Sequence, residues 1–218
     1  MTQPLAFRSA TARDARAVAD IIHGSPGREA VALLGGEAPA RRFGTALTLL
    51  EGRRDGWERT LLAEREGVPV GVCQWRSGSD AGFNLTLALA LAAVRSLGPL
   101  GALRARRREA ARRRVNAPPP ADAFHIHELH ALPELRGAGI GAQLLARAEE
   151  LARAGGFPRL SLITHAANPA QRLYLRCGFE VAERREDAEY ERLTGIPGRL
   201  LMVKPLSVIA SAGREGAR

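Results

Sequence analysis

Two neighbouring stretches of this chain carry residue types whose spacing could do chemistry. The first is Arg136-Gly137-Ala138-Gly139-Ile140-Gly141. Glycine lets a backbone turn sharply and approach a ligand with no Cβ in the way. A helical pattern begins at Ile140, with Ile140, Leu144, Ala148, Leu151 and Ala152 on one face. Amide N–H groups of the turn and of the first helical turn would point outward with the helix dipole behind them. That arrangement holds a phosphate or a pyrophosphate. A Walker loop is excluded, because no Gly-Lys-Ser/Thr triplet follows. A dinucleotide fingerprint is also excluded, because the third glycine comes one residue early. A purely structural turn is the remaining alternative.

The second stretch is His125-Ile126-His127-Glu128-Leu129-His130, with four titratable groups in six positions. Regular strand alternation would put Phe124, Ile126, Glu128 and His130 on one face, and His125, His127, Leu129 and Ala131 on the other. Carboxylates and imidazoles are the groups that move protons near neutral pH. A zinc site would find at most two ligands in His125 and His127, too few for a tetrahedral centre, so no metal is expected.

The elements that must position these residues follow from periodicity. Leu5 to Arg8 reads as a strand. Thr11 with Asp14 forms a capping-box-like start to a helix that buries Ala15, Val18, Ala19 and Ile22. Gly24-Ser-Pro-Gly27 ends that helix, and a second runs from about Ala40 to Leu50. Thr60 to Glu64 and Val68 to Trp75 read as strands around a turn at Arg65-Glu66-Gly67. Residues 82 to 120 look like a helical, arginine-rich insertion. Leu85, Leu89, Ala92 and Ala93 keep helical spacing in it, Gly98-Pro99 breaks it, and Pro118-Pro119-Pro120 ends it. Phe124 to Leu132 is extended, and Gly155-Gly156 closes the helix from Ile140. Leu160 to Thr164 is a strand. Asn168 and Pro169 have the residue types of an N-cap and N1. The short helix they begin carries Tyr174 and stops at Gly178. Phe179 to Glu183 and Leu200 to Lys204 read as the last strands. The fold class is α/β: a mixed central sheet flanked by helices, with the insertion between the third and fourth strands.

Composition narrows the class. A length of 218 residues and 45% hydrophobic residues suit a single domain with a real core, here residues 1–206. Residues 207–218 are small, polar and basic, and are expected to form a disordered tail. Cys73 and Cys177 form no Cys-x-x-Cys pair, so reduced thiols and a cytoplasmic location are expected. Met1-Thr-Gln-Pro4 shows no signal-peptide pattern. The longest uncharged stretch, Ala81 to Val94, is about 14 residues, short of the roughly 20 that cross a bilayer, so no membrane is expected. The net charge is +9, and eight arginines against one acid between Arg95 and Arg114 supply seven of those charges. The basicity is local.

The stretch Leu129 to Gly141, with its apolar strand, Pro-acidic turn and Arg-x-x-Gly-x-Gly-like run, resembles the acetyl-CoA motif of the GNAT N-acetyltransferase superfamily. Asn168-Pro-Ala-Gln-Arg-Leu-Tyr-Leu-Arg-Cys-Gly-Phe179 is similar to the family's Asn-x-x-Ala-x-x-Leu-Tyr-x-x-x-Gly-Phe element, with the alanine one place early. Arg8 to Ala15 is similar to its opening strand and helix. The clear likeness covers Ala123 to Glu183.

The resemblance implies a GNAT fold, acetyl-CoA as co-substrate and acetyl transfer to a primary amine of a small molecule or peptide by direct attack. Leu129 and Ala131 would pair through their backbones with the pantetheine arm. The N–H groups of Arg136, Gly137, Ala138, Gly139, Ile140, Gly141 and Ala142 would hold the pyrophosphate. Asn168 would touch the pantetheine amide, and Tyr174 would sit beside the thioester sulfur. The chemistry agrees: an ammonium must lose a proton, the oxyanion needs a donor such as the Ala131 N–H, and a tyrosine hydroxyl can protonate the leaving thiolate. A core-packed aromatic is the other reading of Tyr174. Glu128 is the chosen base, against a strand carboxylate paired with arginine; His130 and His127 stand as alternatives. His165 is placed at the acceptor pocket.

The arginine-rich insertion admits three readings: a solvated helical face, an acceptor-side lid, or contact with nucleic acid or an acidic protein. Residues 84 to 123 hold no aromatics for stacking on bases, which argues against nucleic acid. The rival function is a catalytically inert acyl-CoA sensor whose basic segment binds nucleic acid or protein. A homodimer is compatible with either.

Overall fold

The computed structural model describes residues 4–55, 57–80 and 87–206. The tail at 207–218 and Leu85 lie outside the described residues. Seven strands form one mixed sheet: β1 (Ala6–Ser9), β2 (Thr60–Arg65), β3 (Val68–Ser77), β4 (Ala123–Ala131), β5 (Arg159–His165), β6 (Glu180–Glu186) and β7 (Gly198–Pro205). Their order is β1-β2-β3-β4-β5-β7-β6. β4 and β5 are parallel, and every other pair is antiparallel.

Seven helices connect and cover these strands: α1 (Ala15–His23), α2 (Arg28–Leu34), α3 (Glu37–Asp55), α4 (Leu87–Val115), α5 (Ile140–Ala154), α6 (Gln171–Arg176) and α7 (Ala188–Thr194). α1 starts as the sequence suggests. Asp14 Oδ2 accepts the Thr11 N–H at 2.8 Å, and Arg8 grips the same carboxylate through two nitrogens. This pairing holds the Asp14 carboxyl well below the usual carboxylate range. α4 is broken at Gly98, whose φ of 72° and ψ of 165° are not helical. α2 and α7 go beyond the sequence expectation. Each is a seven-residue helix closed by a left-handed glycine, Gly35 and Gly195, and α7 is capped by Asp187, which accepts the Tyr190 N–H at 2.8 Å.

One core lies between the sheet and α5 with α6. Leu61, Cys73, Phe124, Ile126, Leu160 and Leu162 meet Ile140, Leu144, Leu145, Ala148 and Tyr174 there. On the opposite face α1 packs Val18, Ile21 and Ile22 on Leu62 and Val72. A third, smaller cluster joins Ala111 and Val115 of α4 to Tyr190 and Ile196.

The strict alternation expected for β4 fails at one place, and the reason is a bulge. Trp75 pairs with Ile126 while its neighbour Gln74 pairs with Glu128, so His127 is an extra residue on β4. Faces therefore switch at that point. Phe124 and Ile126 share the α5 side with Leu129 and Ala131, not with Glu128 and His130.

α5 comes very close to the sheet at Gly71. A Cβ there would lie 2.8 Å from Ile140 Cγ2 and 3.1 Å from Leu144 Cδ1. Gly71→Val should overpack this contact at a cost of about 1–3 kcal/mol. The melting temperature should then drop by several degrees in a thermal scan; an unchanged value would mean that α5 does not sit against β3 at this distance.

Candidate active site

β4 and β5 run together for only four residue pairs, Ala123↔Arg159 to Ile126↔Leu162. Beyond them β4 stays with β3 as far as Ala131, and β5 stays with β7 as far as His165. The two strands part inside the sheet. Leu132 donates its N–H to Val70 O on β3 at 3.0 Å. Backbone groups alternate in direction along a strand, so those of Ala131 and Leu129 face the gap. An extended ligand bearing amides would find hydrogen-bonding partners there.

The glycine turn lies at the end of β4. Gly137 and Gly139 have φ of 85° and 78°, a region that favours glycine. Within the turn the Arg136 N–H bonds Pro133 O at 3.3 Å and the Ala138 N–H bonds Leu135 O at 3.2 Å. Two of the seven expected amides are thus already engaged. Among the described residues, the amides of Gly137, Gly139, Ile140, Gly141 and Ala142 have no backbone acceptor. Three of them are the first amides of α5, where the dipole adds partial positive charge. Gly141 serves packing as well, since a Cβ there would stand 3.0 Å from Leu173 of α6.

The bulge gathers ionisable groups on the face opposite α5. His130 Nε2 and Glu128 Oε2 are 2.7 Å apart, and both side chains are about one third exposed, at 37% and 34%. Burial acts to raise the Glu128 carboxyl. The His130 hydrogen bond and the charges of His130, His127 and His23 outweigh burial and hold it down at about 2. His23 comes from the last turn of α1, bonds Thr48 Oγ1 at 2.8 Å through Nε2, and is lowered by burial. α3 pins its ring, because Gly44 leaves no room for a Cβ beside it. His125 is different: it is buried, bonds Ser161 Oγ at 2.9 Å, and is pushed down to about 3 mainly by burial. It is a neutral packing residue.

Tyr174 lies on the α5 side, 7% exposed, with its ring edge-on to Phe179 at 6.2 Å. Its hydroxyl makes no hydrogen bond among the described residues. Burial pushes that hydroxyl up to about 12, with the Glu128 charge adding to the effect. The Tyr174 hydroxyl and the Glu128 carboxylate, on opposite faces of the sheet, are therefore close enough to act on one another electrostatically. Asn168 is held twice: Nδ2 donates to Thr164 Oγ1 at 2.8 Å, and Oδ1 accepts the Ala170 N–H at 2.9 Å. One Nδ2 hydrogen is left. α6 starts at Gln171 rather than at Pro169, because the turn before it closes with three-residue hydrogen bonds onto Asn168 O and Pro169 O.

His165 ends β5 beside Arg199 of β7. Burial lowers it, with Glu29 opposing and Arg199 and Arg28 assisting. Glu29 accepts the Tyr190 hydroxyl at 2.8 Å and stands 3.6 Å from Arg199. The sequence pattern does not mark His23, Glu29 or Arg199. They come from helices and a strand far from the motifs, and no local spacing links them.

A family model described as "Acetyltransferase (GNAT) family" matches residues 32–179. The aminoalkylphosphonate N-acetyltransferase of Salmonella typhimurium is 43% identical over 67 residues, 26% of this chain and 44% of that protein's length. Among solved structures, the PaiA N-acetyltransferase of Thermoplasma acidophilum, in complex with coenzyme A, is 13% identical, with a TM-score of 0.57 over 94% of this chain and 100% of that one. The ribosomal-protein-S18-alanine N-acetyltransferase of Escherichia coli is 16% identical, with a TM-score of 0.53 over 99% of this chain and 100% of that one. At these identities the structures speak for the fold, a mixed sheet with a helix between its third and fourth strands. With more than half of its length matched by the family model, the chain belongs to the GNAT acetyltransferase family.

Proposed function

We propose that the protein transfers an acetyl group from acetyl-CoA to a primary amine of a small molecule or peptide. One observation carries this reading: β4 leaves β5 after Ile126 and runs on to a turn most of whose amides lack backbone acceptors among the described residues, with Tyr174 on the α5 side of the sheet and the His130–Glu128 pair on the other. The names of the Salmonella and Escherichia coli proteins, both N-acetyltransferases, support the amine acceptor. The amides of Gly137, Gly139, Ile140, Gly141 and Ala142 suit a pyrophosphate, and those of Leu129 and Ala131 suit the pantetheine arm. When bound, acetyl-CoA supplies an acyl carbon activated by a thiolate leaving group.

A carboxyl held at about 2 is a weak base toward an ammonium. The reading therefore gives proton removal to His130, with Glu128 orienting its ring through their 2.7 Å contact. As the amine nitrogen bonds to the acyl carbon, its proton passes to His130. The Ala131 N–H faces the oxygen that gains negative charge. As the carbon–sulfur bond breaks, the Tyr174 hydroxyl gives its proton to sulfur. A hydroxyl pushed up to about 12 is protonated at neutral pH and ready to do so.

A panel of amines incubated with acetyl-CoA, followed by thiol release, tests the reading. Acetyl-CoA binding with no release from any amine would favour an inert sensor. In the same assay Tyr174→Phe should lower kcat by roughly 10²–10⁴ and leave acetyl-CoA affinity nearly unchanged. An equal loss of affinity would make Tyr174 a packing residue.

Gly139→Asp tests the turn. No atom lies within 4 Å of a Cβ at this position, so the side chain meets no clash, and the strain of a φ of 78° is one that aspartate tolerates better than most residues. A carboxylate among the amides should weaken acetyl-CoA binding by well over tenfold, on the order of 2 kcal/mol or more, by titration calorimetry. Unchanged affinity in the folded variant would move the cofactor elsewhere.

The pH profile separates His130 from Glu128. kcat/KM should rise with pH as the proton acceptor becomes free. If His130 is that group, Glu128→Gln removes the partner that orients its ring, so the plateau should fall while a limb remains. His130→Ala should erase the limb and cost roughly 10²-fold or more. A limb that survives His130→Ala and moves to higher pH in Glu128→Gln would make Glu128 the base.

A further inference from the structure

The α4 helix joins β3 to β4 and carries most of the protein's excess positive charge. Its first segment, before the break at Gly98, presents Leu87, Leu91 and Val94 at four- and three-residue intervals, on one side of the helix. These side chains are 76%, 44% and 44% exposed. Its second segment repeats the device with Leu100, Leu103, Arg104 and Arg107, and Leu100 is 58% exposed. Single exposed leucines are ordinary, whereas five large apolar side chains along one element form a surface.

The arginines of α4 fall into two sets. Arg112 and Arg113 pair with Glu109, Arg114 grips Asp187, and Arg108 donates to Ala32 O and Leu33 O at the end of α2. This set fastens the helix to the body. Arg95, Arg104, Arg106 and Arg107 are exposed and form no ion pair among the described residues. Between α4 and the α2–α3 junction lies a cleft of about 410 Å³. Leu34, Pro39, Leu97 and Leu100 make its apolar walls, with Arg104 and Arg108 at its polar side.

We propose that α4 docks the protein on an anionic lipid bilayer, with the leucines entering the acyl boundary and the unpaired arginines meeting phosphate headgroups. Charge complementarity selects this occupant. Exposed aliphatics beside unpaired guanidinium groups are the pattern of an interfacial helix. A nucleic-acid surface would not need the leucines, and residues 87–115 offer no aromatic ring for stacking. By length and composition alone α4 could cross a membrane. The break at Gly98 and the run of arginines after it place it along the surface instead.

Co-sedimentation of the full chain with vesicles tests this. The protein should pellet with phosphatidylcholine vesicles containing phosphatidylglycerol, stay in solution with phosphatidylcholine alone, and lose binding as salt rises. Leu91→Glu/Leu100→Glu and Arg104→Glu/Arg107→Glu should each weaken binding by about tenfold or more. Far-UV circular dichroism and melting temperature should stay as in the parent, since all four side chains are exposed. No pelleting with either lipid overturns the proposal. So does binding that either double variant leaves intact. Tighter binding of RNA or duplex DNA than of the anionic vesicles at equal salt would assign the arginines to nucleic acid and overturn it equally.

Discussion

A buried strand must satisfy its backbone polar groups, and an interior strand does so by pairing on both sides. β4 obeys this rule for four residues and then breaks it. Past Ile126 it keeps β3 on one side and leaves the other side open, while β5 turns to β7. The result is an edge inside a seven-stranded sheet, where neighbouring strands cover it from casual pairing. Most of the site depends on this parting. It leaves directed amides and carbonyls of Leu129 and Ala131 along an open edge that leads to the glycine turn.

The bulge at His127 performs a second task at the same place. A regular strand with this sequence would have set Glu128 and His130 beside Ile126, facing α5, and Leu129 and Ala131 away from it. One extra residue reverses that outcome. Apolar side chains on both sides of the bulge stay in the α5 core, and the four polar groups, His125, His127, Glu128 and His130, collect on the other face with His23. Burial then sorts them. His125 is deep enough that its ring is neutral and bonded to Ser161, whereas Glu128 and His130 remain one-third exposed and bonded to each other. The same environment pushes the Tyr174 hydroxyl upward and holds the Glu128 carboxyl down. At neutral pH the tyrosine hydroxyl is thus protonated and the carboxyl ionised, two opposite states set by their surroundings.

The legible parts of the fold and site are those written in local spacing. Glycines at 137, 139 and 141 at the start of an amphipathic helix mark the turn, and strand periodicity marks all seven strands within a few residues. α2 and α7 escape notice because each has only seven residues, too few for a period to repeat convincingly. The bulge escapes because its signature is a mismatch with a partner strand, and β4 alone holds no record of β3. His23, Glu29 and Arg199 escape for a related reason: the sheet and its covering helices bring them in from positions remote in sequence. The depressed Glu128 carboxyl is invisible until its three histidine neighbours are placed around it. Local pattern therefore marks the glycine turn and Tyr174, and only the tertiary arrangement sets Glu128 among His130, His127 and His23.

The insertion is tied to this chemistry by hydrogen bonds rather than by sequence proximity. Asn116, just past the end of α4, accepts Arg185 Nη1 on its carbonyl at 3.1 Å and Arg199 Nη1 on its Oδ1 at 2.9 Å. Arg199 in turn faces Glu29 and lies opposite His165 across the β5–β7 pair. Packing does the rest, since Ala111 and Val115 bury against Tyr190, whose hydroxyl also reaches Glu29. The C-terminal end of α4 is therefore built into the same polar cluster that closes the sheet beside His165, while its N-terminal segment, held to α3 by Arg42 Nε donating to Ser96 O at 3.2 Å, leaves Leu87, Leu91 and Val94 exposed. Arg199 alternates along β7 with Leu200 and Met202, which pack against α5, so the anchor of α4 lies on the face of the sheet opposite α5, the face that carries Glu128 and His130.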